Sequence, residues 1–355
     1  MLKLLKELVY ADGPPGFENE VREIVLRELE PRVDEISVDT LGNVIAWKNG
    51  DSDQKLMLCA HQDEDWAQII THIDEKGFLR FSRLVGHRWS LLGQQVVIHS
   101  KQGKRTGVIG LQAPHLIPLE EQLRGYQPHD DSMFIDCGLR SHTEAIALGL
   151  EVGQYVTACK HFEELHDGRL LGNCFDNRVG VAVMIETMRR IEKLAPAKTV
   201  VAVASVQEEL GTRGAQTAAY QVNPDYAIAL DVAPTNDHPG ADTRTIPAAL
   251  GGGPVLLRAD QFGVTSVAFT NWLATIAATL NLTYQSLALR APIHFGTDAG
   301  AIELARGGSL VSAVLAPTRY FHTSKSVVDF SDLEGMVDLL VGSINASGEL
   351  PLEPD

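Results

Sequence analysis

The side chains of this 355-residue chain best suited to chemistry are histidines and acids standing where apolar stretches end. KLMLCA at 55–60 runs into His61-Gln62-Asp63-Glu64-Asp65. VVAVASVQ runs into Glu208-Glu209, YAIAL into Asp231, and SLVSAVLAP through Thr-Arg-Tyr-Phe to His322. One more acid, Asp176, sits in a Gly-flanked turn, GNCFDNRVG, just ahead of a helical segment. Two imidazoles (His61, His322) with three carboxylates (Asp176, Glu209, Asp231) suit Zn²⁺, Co²⁺ or Mn²⁺ and are too nitrogen-rich for Ca²⁺. Five such ligands hold two ions roughly 3.5–4 Å apart when one carboxylate bridges them. Each residue also has a plainer reading: His61 as a hydrogen-bonded strand end, Asp176 as a helix N-cap, Glu208-Glu209 as solvated charge, Asp231 as a turn residue. Their shared position joins them, because α/β sheets gather ligands beyond the carboxyl ends of their strands. On pattern alone, a metal site and a set of ordinary strand-end residues both stay open.

Such positions require a sheet. The near-continuous apolar run at 55–60 suits a strand buried on both faces. From about residue 170, strand-like and helical stretches alternate: RVGVAVMIETMRRIEKL, KTVVAVASVQ, GAQTAAY, YAIALDV, TSVAFTNWLATIAATLN, TDAGAIELA, SLVSAVLAP and a last helix over roughly 331–346. Apolar spacing predicts a helix over 17–29, and EISVD and NVIAW predict two strands. This rhythm predicts an α/β domain with a mixed sheet covered by helices on both faces. The texture changes over 67–161, where short β-like pieces are punctuated by Gly, one helix is expected near SHTEAIALG, and 113–132 reads as a long loop. The predicted organisation is therefore a discontinuous α/β domain, 1–66 and 162–355, interrupted by a small β-rich insert of barrel or PDZ-like type.

Composition narrows the partners. A net charge of −16 argues against nucleic acid and anionic membrane surfaces, which need basic patches. No apolar run reaches the roughly 18 residues needed to span a bilayer. The N-terminus MLKLLKELVYADG reads as an amphipathic helix rather than a signal peptide. Cys59, Cys137, Cys159 and Cys174 are scattered without a CxxC pair, which fits reduced thiols and a cytoplasmic location.

AHQDED, CFDNRVGVA, QEELGTRGA, ALDV, GTDAGAIELA and PTRYFH, in this order and at these separations, resemble the tetrahedral metalloaminopeptidases, relatives of the glutamyl and deblocking aminopeptidases and of FrvX-like proteins. The resemblance covers essentially the whole chain. It implies two divalent ions per subunit, with Zn²⁺ first and Co²⁺ or Mn²⁺ as alternatives. It implies that Asp176 bridges them, that His61 and Asp231 complete one site, and that Glu209 and His322 complete the other. Glu208 matches the general base, and Asp63 the acid behind the ligand imidazole. The peptide bond after Asp176 is expected to be cis. The implied activity is removal of N-terminal residues from short peptides. The implied assembly is a homododecamer built from dimers through the insert, with smaller dimers as the alternative.

Two other readings share this sequence: a related dimetal amide hydrolase acting on N-acyl amino acids, and an inactive peptide-binding scaffold. His294 and Arg319 are candidates for the substrate pocket, with structural roles as the alternative. Thr297 and Asp298 are expected to start a helix, and GGGP at 251–254 lacks the context of a phosphate loop. The chain departs from the family at Asp65-Trp66-Ala67-Gln68, where a small hydrophobic residue, Gly and an aromatic are usual, and at His294-Phe295. Substrate preference is therefore not carried over.

Overall fold

The computed structural model describes residues 1–123, 129–242, 244–289 and 293–346. They form two compact units. The first comprises Met1–Glu64, His161–Phe321 and Lys325–Asp355, and the second Asp65–Lys160 with His322–Ser324.

In the first unit, eleven strands among the described residues make one mixed sheet. Its centre is four parallel strands in the order Thr199–Ser205, Lys55–His61, Tyr226–Pro234, Leu310–Arg319. Their carboxyl ends therefore share one edge. Val44–Lys48 and Glu35–Val38 continue the sheet antiparallel on one side. Ser326–Asp329, Arg169–Gly172 and Phe162–Glu164 continue it on the other. Val255–Ala259 pairs with Gln285–Ala288 and with Leu310–Arg319.

Side-chain alternation explains the apolar runs. Along Lys55–His61, Leu56, Leu58 and Ala60 pack into one helix-covered cluster, while Met57 and Cys59 pack into another. Strand Thr199–Ser205 divides likewise, with Val200, Ala202 and Ala204 against Val201 and Val203. The first cluster draws on helices Leu2–Tyr10, Asn19–Leu29, Phe175–Arg190, Val267–Thr279 and Phe330–Asn345. The second draws on Arg213–Val222 and Ala299–Glu303. The expected mixed sheet with helices on both faces is the fold observed. The helix expected over 17–29 begins at Asn19 and leaves Phe17 outside. Strand Tyr226–Pro234 runs three residues past Asp231, so Asp231 is a strand residue and not a turn residue.

The second unit is a closed antiparallel barrel, in the order Ala67–Ile73, Leu79–Val85, Phe134–Asp136, Gly103–Gly110, Gln95–Ser100, Tyr155–Ala158. Its core includes Ile70, Leu79, Val96, Ile98, Ile109, Ile135 and Val156. Helix His142–Ala147 stands where SHTEAIALG placed it, and its N-cap Ser141 hydroxyl accepts the Glu144 N–H at 3.2 Å. The stretch 113–132, read as a loop, contains a short helix, Leu119–Leu123; residues 124–128 lie outside the described residues.

Candidate metal centre

The carboxyl edge of the four parallel strands is not uniform. Lys55–His61 pairs with Tyr226–Pro234 only as far as Cys59 opposite Ala229. Tyr226–Pro234 stays paired with Leu310–Arg319 through Pro234 opposite Thr318. The two strands thus part before His61 and Asp231, and the first turn of helix Phe175–Arg190 reaches the parting. There the Asn177 side-chain amide donates to the Leu230 carbonyl at 2.7 Å and its oxygen accepts the Gly180 N–H at 3.0 Å. The Asp176–Asn177 peptide is cis, as the resemblance implied. The N-cap of this helix is Cys174, so the plain N-cap reading of Asp176 does not hold.

Asp176 instead turns its Oδ1 to His61 Nε2 at 3.0 Å, with Asp231 Oδ1 3.7 Å from the same nitrogen. The opposite ring nitrogen, Nδ1, lies 3.4 Å from Asp63 Oδ1 and 3.1 Å from the Asp63 carbonyl. Asp63 also accepts the backbone N–H of Glu208 on Oδ1 and that of Glu209 on Oδ2, both at 3.0 Å. Ligand atoms of His61, Asp176 and Asp231 lie within 4.8 Å of one another, as do those of His61, Glu208 and Glu209.

Electrostatics follow from this crowding. Burial alone lowers the basicity of His61, but Asp176, Asp231 and Asp63 outweigh it and push the imidazole pKa well above its ordinary value. Burial, then the neighbouring Asp176, raises the Asp231 carboxyl to about 7. Burial pushes Glu208 well above the carboxylate range; His61 opposes this, and Asp298, Glu209 and Asp231 add to it. Carboxylates packed this closely repel unless a cation sits among them. An imidazole-and-carboxylate donor set fits a divalent transition ion. The residues present therefore fit a metal.

His322 follows strand Leu310–Arg319 by three residues and belongs to the segment grouped with the second unit. The other two candidates have partners of their own. His294 is exposed, with Nδ1 3.3 Å from Gln261 Oε1. Arg319 grips Asp237 with two contacts, 2.8 and 2.5 Å; burial alone would raise the Asp237 carboxyl, but Arg319 and the Leu250 N–H outweigh it and hold it at about 2. Neither set of contacts involves a residue of the acidic cluster.

Two acids went unread in the sequence. Asp298 stands at the N-cap of helix Ala299–Glu303, as expected, but its side chain makes no cap bond. It is 2% exposed, accepts the Ser205 hydroxyl at 2.6 Å and the Cys59 thiol at 3.4 Å on Oδ2, and its Oδ1 has no hydrogen-bond partner among the described residues. Glu18, also 2% exposed, accepts the N–H of Gly16 at 2.7 Å and of Gln207 at 3.2 Å. Burial, then Asp63, raises its carboxyl to about 7. No local spacing marks Glu18; for Asp298 the signal was its place in GTDAG, which a cap reading absorbed.

The sequence profile described as M42 glutamyl aminopeptidase matches residues 42–339. The chain belongs to the M42 peptidase family. This M42 member is 36% identical over 344 residues to FrvX of Escherichia coli (strain K12), covering 96% of this chain and 94% of that protein. Its fold matches the TET aminopeptidase of the marine sediment archaeon Thaumarchaeota archaeon SCGC AB-539-E09 with a TM-score of 0.92 and 33% identity, over 98% and 96% of the two chains. It matches the Pyrococcus horikoshii TET1 peptidase, which can assemble into a tetrahedron or a large octahedral shell, with a TM-score of 0.86 and 28% identity, over 97% and 98%. The M42 chain is a peptide-bond hydrolase, a metal-dependent aminopeptidase.

Proposed function

We propose that this aminopeptidase removes N-terminal residues from short peptides at a two-metal centre. Asp176 would be shared by the two ions, with His61 and Asp231 as the further ligands of one and Glu209 and His322 as those of the other. The observation that carries the reading is the orientation of His61, with Nε2 toward Asp176 and Asp231 and Nδ1 toward Asp63. A ligand imidazole backed by a carboxylate has this arrangement, which fixes its tautomer and raises its basicity. Bound divalent cations, Zn²⁺ first with Co²⁺ and Mn²⁺ as alternatives, lower the pKa of a shared water and polarise the scissile carbonyl.

Glu208 accepts the proton of that water and later delivers it to the nitrogen of the leaving amine. Its backbone N–H is fixed by Asp63, so the acid that holds the imidazole also holds the base. A free α-amine could bind a cation of the centre where a blocked one could not, which would restrict cleavage to the first residue. The barrel unit joins subunits into dimers and the dimers into a homododecamer, by analogy with the TET1 peptidase and its shells. The four free cysteines fit a reducing compartment, the cytoplasm.

The test is hydrolysis by apoprotein restored with each metal in turn, on an aminoacyl-nitroanilide panel and on N-acyl amino acids. Metal-dependent turnover of the free-amine panel is expected. Turnover confined to the blocked substrates would replace this reading by a deacylase. Binding of peptides without turnover of either set would replace it by a scaffold.

A further inference from the structure

Asp65 and Trp66 depart from the usual family sequence, and both are buried in the second unit. We propose that they form a clamp on the main chain of His322 that positions its imidazole as a metal ligand; this rests on the two-metal reading above.

One jaw is direct. Asp65 Oδ2 accepts the backbone N–H of His322 at 2.7 Å. The other jaw runs through the turn at 86–90. The His322 carbonyl accepts the backbone N–H of His87 at 3.0 Å. Trp66 fixes that turn in two ways. Its indole N–H donates to the Ser90 hydroxyl oxygen at 3.1 Å, and the Ser90 hydroxyl donates to the His87 carbonyl at 2.7 Å. Gly86, at φ +93°, lies so close to the indole that a Cβ would stand 2.8 Å from Cδ1. Asp65 and Trp66 thus reach both polar groups of the His322 residue, one directly and one through a turn.

His322 needs such restraint. Its φ is 59°, in the left-handed region, which is unfavourable for a non-glycine residue. Without main-chain hydrogen bonds it would relax toward the right-handed or extended regions, and the imidazole would swing with it. A carboxylate acceptor holds an N–H more strongly than a neutral one, so the acid at 65 makes a firm jaw. A small apolar residue there has no side-chain acceptor to offer. Asp65 and Trp66 are positioning residues for the metal position that His322 completes.

The experiment is Co²⁺ uptake by the full-length apoprotein, followed by calorimetry and by visible absorption, for the wild type, Asp65→Val, Asp65→Asn and Trp66→Phe. The wild type is expected to bind two ions per chain. Asp65→Val should keep one at wild-type affinity and lose about 10–100-fold at the second, the range found when residues supporting a ligand are removed. Asp65→Asn retains an oxygen acceptor and should recover most of that loss. Trp66→Phe keeps an aromatic ring beside Gly86 but loses the indole N–H and one ring of the bicycle, so a loss confined to the same ion is expected. Two ions at wild-type affinity in Asp65→Val would overturn the clamp. So would equal weakening of both ions that Asp65→Asn does not rescue, since a general folding defect has that signature. Fewer than two ions in the wild type would overturn the two-metal reading itself, and with it any metal-positioning role for Asp65.

Discussion

Asp63 gives one oxygen to the N–H of Glu208 and the other to that of Glu209, while facing Nδ1 of His61. A single buried carboxylate thus faces the imidazole of His61 and holds the backbone of Glu208 and Glu209, the proposed base and the proposed ligand beside it. Asp63→Ala is expected to lower metal affinity by about 10–100-fold, read by competition with a chromophoric chelator. Glu208→Gln keeps the shape and removes the proton acceptor. Metal content should stay at the wild-type level while kcat falls by about 10²–10⁴-fold with little change in KM; near-normal kcat in that variant would remove Glu208 from the mechanism. The family resemblance, not a local pattern, is what pointed to this pair in the sequence. Glu18 was not legible. It meets the N–H of Gln207, 189 positions away, and no local pattern encodes a contact that only the fold creates. Thr297 and Asp298 do start helix Ala299–Glu303, as a Thr-Asp pair before a helix signals, and the Thr297 hydroxyl accepts the Ala299 N–H at 3.2 Å; that the Asp298 side chain turns to Ser205 and Cys59 was not legible.

At the scale of elements, the long buried strands and helices announced themselves through periodicity. Two short strands at one end of the sheet did not: Phe162–Glu164 and Arg169–Gly172 span three and four residues, too short for alternation to stand out. Nor did the parting of Lys55–His61 from Tyr226–Pro234, which depends on how helix Phe175–Arg190 docks. Gly180 makes that docking possible. A Cβ there would lie 2.3 Å from Asn177 Oδ1 and 2.7 Å from the Leu230 carbonyl oxygen. Gly180→Ala gains up to about 1 kcal/mol of helix propensity. It meets an overpacking cost of about 1–3 kcal/mol, because the strand carbonyl is backbone and yields little. The clash should win, lowering Tm by a few degrees in a calorimetric scan and weakening metal uptake through displacement of Asp176. A raised Tm with intact metal binding would contradict this account of the docking.

For the whole molecule, a metal centre assembled from separate strand ends ties folding stability to the ion. Removing metal with a chelator should abolish turnover and lower Tm, and adding it back should restore both, because a ligand bound to the folded state alone stabilises it by mass action. Light scattering of the loaded protein should report a particle of twelve 38.6 kDa chains; a monomer at working concentration would contradict the assembly drawn from the TET relatives. The central claim is the centre itself, and anomalous diffraction from crystals grown with Zn²⁺ tests it most directly. The result expected is two ions about 3.5–4 Å apart, with Asp176 between them, His61 and Asp231 on one, Glu209 and His322 on the other. A single ion, or two ions that leave Asp176 or His322 without a metal contact, would contradict it.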